Sequence, residues 1–283
     1  KIGDIRELTS IAMPNIVALL NVSQAHLDTF VTLENILKTK EEILEDQGYK
    51  KIVILNKDDI NFNRWYKKAN RHDIKTISIS KDADYKVSAI SSDKLLLKTY
   101  RGDMISIKIN SIEDYNIKNI LFSVALAMEA GASVTDVKHG IESFEAPLGR
   151  FTEMRGLCDS KIIDSSYNAN PASFKASIDS LTSLKGRKIL IMGEMAELGE
   201  NSLNHHLDVI SYAINKGIEN IFLKCSFSQQ IKERFDDKII IFNKTHELMQ
   251  LITRLLNSDT VVLVKASRFM NFDKIVNKLM TGN

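Results

Sequence analysis

Residues 161–184 read KIIDSSYNANPASFKASIDSLTSL, and their order sets the architecture of the second half of the chain. The apolar run Lys161-Ile162-Ile163 gives way to a polar cluster holding Asn168 and Asn170. Pro171 and a helix-patterned segment from about Ser173 to Leu184 follow. The chain has only 3 prolines, and this one stands between a predicted strand and a predicted helix. Proline fixes its own φ and restrains the residue before it. Asn170 is therefore expected to be extended, with the chain turning into the helix near Ser173. The result is a rigid polar loop at a strand end, offering the amides of Asn168 and Asn170 and the hydroxyl of Tyr167. An Asx-type turn with a helix cap would use the same residues.

Downstream the order is KILIMG, a helix near 202–216, NIFLK, a helix, KIIIF, a helix, TVVLVK and a final helix. Strands alternating with helices in this way predict a parallel sheet covered on both faces. Upstream, FEAPLGR (144–150) brings a proline and a glycine together and marks a boundary between predicted domains 1–148 and 149–283. In the first half, NIVALLN (15–21) reads as a strand, followed by a helix from about Thr32 to Gln47. KIVILN (51–56) is a second strand, with Asp58 expected to cap a helix running to about Ala69. From Ile74 to Ile109 the pattern alternates through KTISIS, YKVSAI, KLLLKTY and MISIKI, predicting antiparallel strands with tight turns. Helices are expected over 114–130 and 134–144, with Gly131 between them. Both halves are thus α/β, and ligands of such sheets bind beyond the carboxyl ends of strands.

A length of 283 residues fits two domains, and 44% hydrophobic with 26% charged residues is enough for substantial cores. A net charge of +2 carried by scattered lysines gives no argument for a nucleic-acid or membrane partner. No apolar run is long enough to span a bilayer as a helix. Cys158 and Cys225 lie far apart without metal-ligand spacing, so a reduced, cytoplasmic chain is expected, with a monomer as the default. The first residue is Lys1, and KIGDIRELTSIAMPN has the pattern of a domain interior, so an upstream portion is expected.

Polar residues just after the apolar runs are the candidates for chemistry. His26, in NVSQAHLD (21–28), could ligate a metal or a phosphate, although a lone histidine is more often structural or exposed. Lys40 shares its helix with Lys38, Glu41 and Glu42, the pattern of a solvated face. Asn116 and Asn119 share a helix face, and their amides suit the edge of a base as well as they suit capping. GEMAELGENS (193–202) is an acidic loop. VKASR (264–268) presents Lys265, Ser267 and Arg268 together, a group for a carboxylate or phosphate, or simply cations at a strand end. His205, His206, Trp65 and the two cysteines receive no role.

The order of these motifs is more telling than any one of them. NVSQAHLDTF with ENILKTKEEIL, then YNIKN, APLGRF, DSSYNANP, GRKILIMGEMAELGENS and VKASR together resemble the Mur ligases of peptidoglycan synthesis. YNANP with GEMAELGE resembles in particular the type that adds D-alanyl-D-alanine to UDP-N-acetylmuramoyl-tripeptide (the MurF type). The resemblance implies the later part of a central ATPase domain followed by a Rossmann-like C-terminal domain. A UDP-sugar domain and the phosphate loop would lie upstream, since G-x-x-x-x-G-K-S/T does not occur here, and the chain alone would be inactive. It also implies ATP and Mg2+, an acyl phosphate on the tripeptide, and attack by the amine of D-alanyl-D-alanine. In that pattern His26 and Lys40 match the magnesium-site histidine and the lysine that carries a carbamate in relatives, which makes them catalytic. Asn116 and Asn119 match the pair near adenine, with Asn21, Asp164 and Tyr167 also expected at the nucleotide. Arg150 matches the arginine that reaches phosphate. Asn168, Asn170, Lys265, Ser267 and Arg268 are expected near the substrates. The chain departs from the family pattern at Ser165, where an aspartate is usual, at Val31 and Ala266, where glycines are usual, and at Tyr115. Another ligase of the Mur and folylpolyglutamate type, or a nucleotide-binding module without catalysis, are the alternatives.

Overall fold

The computed structural model describes residues 2–22, 32–109, 114–145 and 147–281. They fall into two compact units, one formed by the described residues before 146 and the other by those after it.

The first unit holds a six-stranded sheet in sequential order, β1 (Ile16–Leu19), β2 (Ile52–Asn56), β3 (Asp73–Ser78), β4 (Tyr85–Ile90), β5 (Lys94–Thr99) and β6 (Met104–Lys108). The strand β1 pairs with β2 in parallel, Ile16 opposite Ile52, because α1 (Asp4–Ala12) precedes the sheet and α2 (Leu33–Glu41) crosses between them. Side chains alternate between faces. Val17, Leu19, Val53 and Leu55 pack with Leu37 of α2 and with Trp65 of α3 (Phe62–Lys68). Ile54 and Ile77 face the other way, onto α4 (Asp114–Glu129) and α5 (Val134–Glu142).

The predicted antiparallel block begins one strand later than expected. The strand β3 runs parallel to β2 and shares a short parallel pairing with β4, so only β4, β5 and β6 form the antiparallel meander. Alternation marks a half-buried strand but carries no information on its direction. Asp58 is not a helix cap. Its carboxylate accepts from Ser78 Oγ (2.7 Å), the Ile79 amide (2.7 Å) and Ser80 Oγ (2.9 Å), tying the turn after β2 to the end of β3. The helix starts later, with Asn61 at its N-cap position. Buried Lys51 caps the carbonyls of Ile43 and Glu45 at 3.1 and 3.3 Å, which ends the extension of α2.

The second unit is a six-stranded sheet in the order β11-β10-β9-β12-β8-β7. Its strands are β7 (Thr152–Arg155), β8 (Lys161–Ser165), β9 (Arg187–Gly193), β10 (Asn220–Lys224), β11 (Ile239–Ile241) and β12 (Thr260–Lys265). All pairings are parallel except β7 with β8. The helices α6 (Pro171–Ser183), α7 (Ser202–Asn215) and α8 (Ser228–Phe235) connect β8 to β9, β9 to β10 and β10 to β11. They share one face, packing Phe174, Ile178, Val209, Ile210 and Ile231 against Ile163, Leu190 and Leu263. The opposite face carries α9 (Thr245–Ile252) and α10 (Asp273–Thr281), which cover Ile162, Ile191, Val262 and Val264. Right-handed crossovers require this division, because the chain steps toward the β11 edge three times and then returns. The last strand, β12, is thereby inserted between β8 and β9. Pro171 opens α6, two residues before the expected start at Ser173, because Asn170 is the N-cap.

The entry to β9 depends on a close approach. Gly186 has φ +98°, and a Cβ there would run into the Asp259 carbonyl oxygen, which accepts from the Arg187 amide at 2.8 Å. Gly186→Ala is expected to cost about 2–4 kcal/mol in urea unfolding, from clash and positive-φ strain together. Gly217→Ala, also at positive φ but facing open space, should cost about 1–2 kcal/mol. Equal losses in the two variants would show that the close approach is not what constrains position 186.

Candidate functional site

The carboxyl ends of β8, β12 and β9 lie side by side in the second unit, with Lys265 opposite both Ser165 and Met192. The helices that follow β8 and β9 cover one face and the one after β12 covers the other. This is a topological switch point, where the diverging chains leave loops free to meet a ligand.

Lys265 is 3% exposed, and its ammonium donates to Ser165 Oγ and to the Asn168 carbonyl, each at 3.0 Å. It also lies 5.5 Å from the Phe174 ring centre. No carboxylate forms an ion pair with it among the described residues. Burial in this uncompensated place brings its pKa down to about 8. Ser267 is also buried. Its amide donates to the Glu194 carbonyl (3.0 Å), and its hydroxyl accepts from the Ala196 amide (2.8 Å) and donates to the Ala169 carbonyl (3.4 Å). One serine thus joins the loops after β12, β9 and β8.

Above this buried layer stands an exposed one. The Tyr167 amide donates to the Gly149 carbonyl at 3.0 Å, bringing residues 149 and 150 against the loop. The Arg150 guanidinium lies 4.4 Å and that of Arg268 5.9 Å from the Tyr167 ring centre. Both are attracted to the negative face of the ring, and neither forms an ion pair among the described residues. Their planar forks are therefore open to an anion, with the buried Lys265 in the same loop cluster.

Sequence reasoning gave Asn168 and Asn170 a common task, and the structure separates them. The Asn168 carbonyl holds Lys265, while its Oδ1 accepts from the Ala169 amide. Asn170 is extended (φ −142°) and caps α6, its Oδ1 accepting from the Ser173 amide at 2.8 Å while Ser173 Oγ accepts the Asn170 amide. Asp164 is buried and accepts from the Ser166 amide at 2.9 Å, holding the turn out of β8.

The remaining candidates lie in the first unit. Asn21 follows β1 and is exposed. Lys40 is half-buried on α2. Asn116 and Asn119 lie on the first turns of α4, half-buried and exposed respectively. His26 lies outside the described residues. Among those residues no group of three His, Cys, Asp or Glu side chains could hold a metal ion, and Lys40 itself offers a nitrogen where magnesium prefers oxygen.

Two groups that sequence reasoning passed over take part. The Glu194 carboxylate accepts from the amide and hydroxyl of Ser226 at 2.9 and 2.7 Å, binding the loop after β9 to the one after β10. His206 is wholly buried and touches the same loop. Its spacing was a usable signal, because His206, Val209, Ile210 and Ala213 form the buried stripe of α7.

Residues 1–127 match the Mur ligase middle domain, and residues 149–268 match the Mur ligase glutamate ligase domain. The UDP-N-acetylmuramoyl-tripeptide–D-alanyl-D-alanine ligase of Haemophilus influenzae is 31% identical over 290 residues, covering 98% of this chain and 62% of the relative. The corresponding ligase of Escherichia coli is 27% identical over 291 residues, with the same 98% and 62% coverage. Among solved structures, MurF from Acinetobacter baumannii superposes with a TM-score of 0.85 at 25% identity, over 99% of this chain and 62% of that one. MurF from Thermotoga maritima in complex with ADP gives 0.79 at 24% identity, over 99% and 64%. The chain thus spans 62% of the length of the Haemophilus relative. With a middle domain and a glutamate ligase domain in succession, and MurF-type relatives aligned along nearly all of it, the chain belongs to the Mur ligase family.

Proposed function

We propose that the protein containing this chain is an ATP-dependent amide ligase that joins D-alanyl-D-alanine to UDP-N-acetylmuramoyl-tripeptide in cytoplasmic peptidoglycan precursor synthesis. The observation that supports it most is the match to MurF-type ligases over 98% of the chain. The open cation layer of Arg150 and Arg268 fits the chemistry. In the proposed reaction a tripeptide carboxylate oxygen takes the γ-phosphoryl group of ATP, and ADP leaves. The dipeptide amine then attacks the acyl carbon, and collapse of the tetrahedral intermediate expels phosphate. Every participant is an anion or carries a carboxylate, so the protein must neutralise negative charge and orient the groups.

In this reading Arg150 and Arg268 bind phosphate or carboxylate through their forks, with the Tyr167 ring holding both in place. Lys265, Ser267 and the Asn168 carbonyl shape the floor of the acceptor site. Asn21, Asn116 and Asn119 serve the nucleotide. A carbamate on Lys40 would replace its nitrogen by oxygen ligands and, with His26, would hold Mg2+, whose role is to neutralise phosphate charge.

The intact protein is expected to release phosphate from ATP when UDP-N-acetylmuramoyl-tripeptide and D-alanyl-D-alanine are both supplied. These 283 residues alone, which hold no phosphate-loop pattern, should release none. Stimulation by meso-diaminopimelate or glutamate in place of the dipeptide would reassign the ligase to another type.

Lys265 gives the reaction a pH dependence of defined sign. Its folded pKa, about 8, lies below the ordinary lysine value, so its charge is lost as pH rises through about 8. The apparent affinity for the dipeptide should therefore weaken between about pH 7 and 9. Folding stability should rise from about pH 8 up to about pH 10, between the folded pKa and the ordinary lysine value, because the unfolded chain still holds the proton there. Lys265→Met should flatten both trends in a KM and urea-unfolding series. An unchanged acceptor profile would remove Lys265 from the acceptor site.

Asn170 separates capping from recognition. Asn170→Ala is expected to lose about 1 kcal/mol of stability, and Asn170→Ser to recover most of it. If the bond to Ser173 is its whole task, Asn170→Ser keeps the wild-type KM for the dipeptide. A serine variant that is stable but impaired would place the amide on substrate.

A further inference from the structure

His206 stands in the second turn of α7 with no exposed surface, and a buried imidazole needs partners for both nitrogens. Nε2 lies 3.0 Å from the Met195 amide, and Nδ1 lies 2.8 Å from the Ser202 carbonyl. An amide can only donate and a carbonyl can only accept. Nε2 therefore carries the lone pair and Nδ1 the proton, which fixes the neutral Nδ1–H tautomer. Protonating Nε2 would set two N–H groups against each other and break the bond to Met195.

That bond matters because of what Met195 belongs to. Gly193 enters the loop in close contact, since a Cβ there would come 2.5 Å from the Ala266 Cβ. The next three residues are held in succession. The Glu194 carbonyl accepts from the Ser267 amide, the Met195 amide donates to His206, and the Ala196 amide donates to Ser267 Oγ. The His206 bond is thus flanked on both sides by the bonds that hold Ser267. Lys265 and Arg268 stand within two residues of that serine, and Ser267 Oγ reaches the Ala169 carbonyl beyond it.

We propose that His206 is a positioning residue. By accepting the Met195 amide it sets the loop on which Ser267 is seated, and it thereby places the cations of the acceptor site. Its protonation releases that loop, so dipeptide binding weakens in acid. This rests on the ligase reading given above. The charged groups facing the ring are Glu194, which favours the imidazolium, and His205, which opposes it. Phe227 from the loop before α8 packs on the ring at 5.6 Å and brings no charge. Burial is the largest influence and lowers the pKa below the usual histidine value. The bond is accordingly intact at neutral pH and lost as pH falls.

The test uses the intact protein with two variants, His206→Ala and His206→Gln, whose Oε1 can accept from the Met195 amide without titrating. In wild type, KM for D-alanyl-D-alanine should climb as the pH is taken below the ordinary histidine range, while kcat changes less. His206→Ala should raise KM roughly tenfold at neutral pH, the loss of one buried hydrogen bond. His206→Gln should return KM to within about threefold of wild type and abolish the acid limb. A glutamine variant as impaired as alanine, or an acid limb that survives in it, would overturn the proposal. Should the alanine variant fail to fold, the glutamine comparison still decides. A nitrogen-15 NMR titration of the imidazoles gives a readout that needs no activity. His206 should hold the Nδ1–H tautomer and titrate below the ordinary histidine value, and titration at or above that value would refute the assignment. A protein that ignores D-alanyl-D-alanine at every pH would refute the ligase reading instead, leaving the NMR arm to judge His206.

Discussion

The insertion of β12 between β8 and β9 is the constraint on which the second unit depends. The strand forms last in sequence yet lies in the interior of the sheet, fully buried along Thr260–Lys265 and paired in parallel on both sides. Because α6 and α7 cover one face and α10 the other, the loops leaving the three strands diverge and cannot close over one another. Lys265 is the final residue of that buried strand, so its ammonium must find partners inside the sheet end. It finds a hydroxyl and a carbonyl. Every later feature of the cluster builds on this ammonium and on Ser267 two residues further.

The cluster is made largely of backbone. Ser267 is gripped by the Glu194 carbonyl and the Ala196 amide, Lys265 by the Asn168 carbonyl, and Tyr167 by the Gly149 carbonyl. Side-chain carboxylates near it face elsewhere, Glu194 toward Ser226 and Asp164 toward Ser166. This division leaves a field of cations above a rigid floor, which suits a ligand whose own charge supplies the missing counterion.

The second unit was legible because its strands are apolar on both faces and bounded by turn residues, as a parallel sheet demands. The first unit was less so. The segment DIKTIS of β3 alternates just as KLLLKT of β5 does, yet one strand is parallel and the other antiparallel. What decides is the connection before each, and periodicity does not record it. Asp58 misled for a related reason. A carboxylate just after a strand suits an N-cap, and only the return of β3 beside β2 gave it the Ser78 and Ser80 hydroxyls instead. At the candidate site the residue types were legible and their partners were not. The NANP loop announced its helix entry, but a sequence cannot show that Lys265 would reach 97 residues back to the Asn168 carbonyl. Adjacent histidines looked uninformative until the stripe of α7 sorted His206 inward.

The two departures from the family pattern that fall in this unit become intelligible in the same geometry. At position 266, where the resemblance implies a glycine, the Cβ of Ala266 lies 2.5 Å from where a Cβ on Gly193 would stand. Gly193 is held to glycine by more than this contact, since a Cβ there would also meet the Phe272 ring at 2.8 and 2.9 Å. Position 165 has an electrostatic consequence. Ser165 and Lys265 are neighbours across the parallel pair, so their side chains emerge on the same face and meet at 3.0 Å. An aspartate in place of Ser165 would form a buried ion pair with that ammonium, holding its proton firmly and consuming its charge internally. With a serine the ammonium is bound only by neutral oxygens, and its pKa falls to about 8. A serine at this position thus leaves the ammonium without a carboxylate partner among the described residues, held by the Ser165 hydroxyl and the Asn168 carbonyl alone.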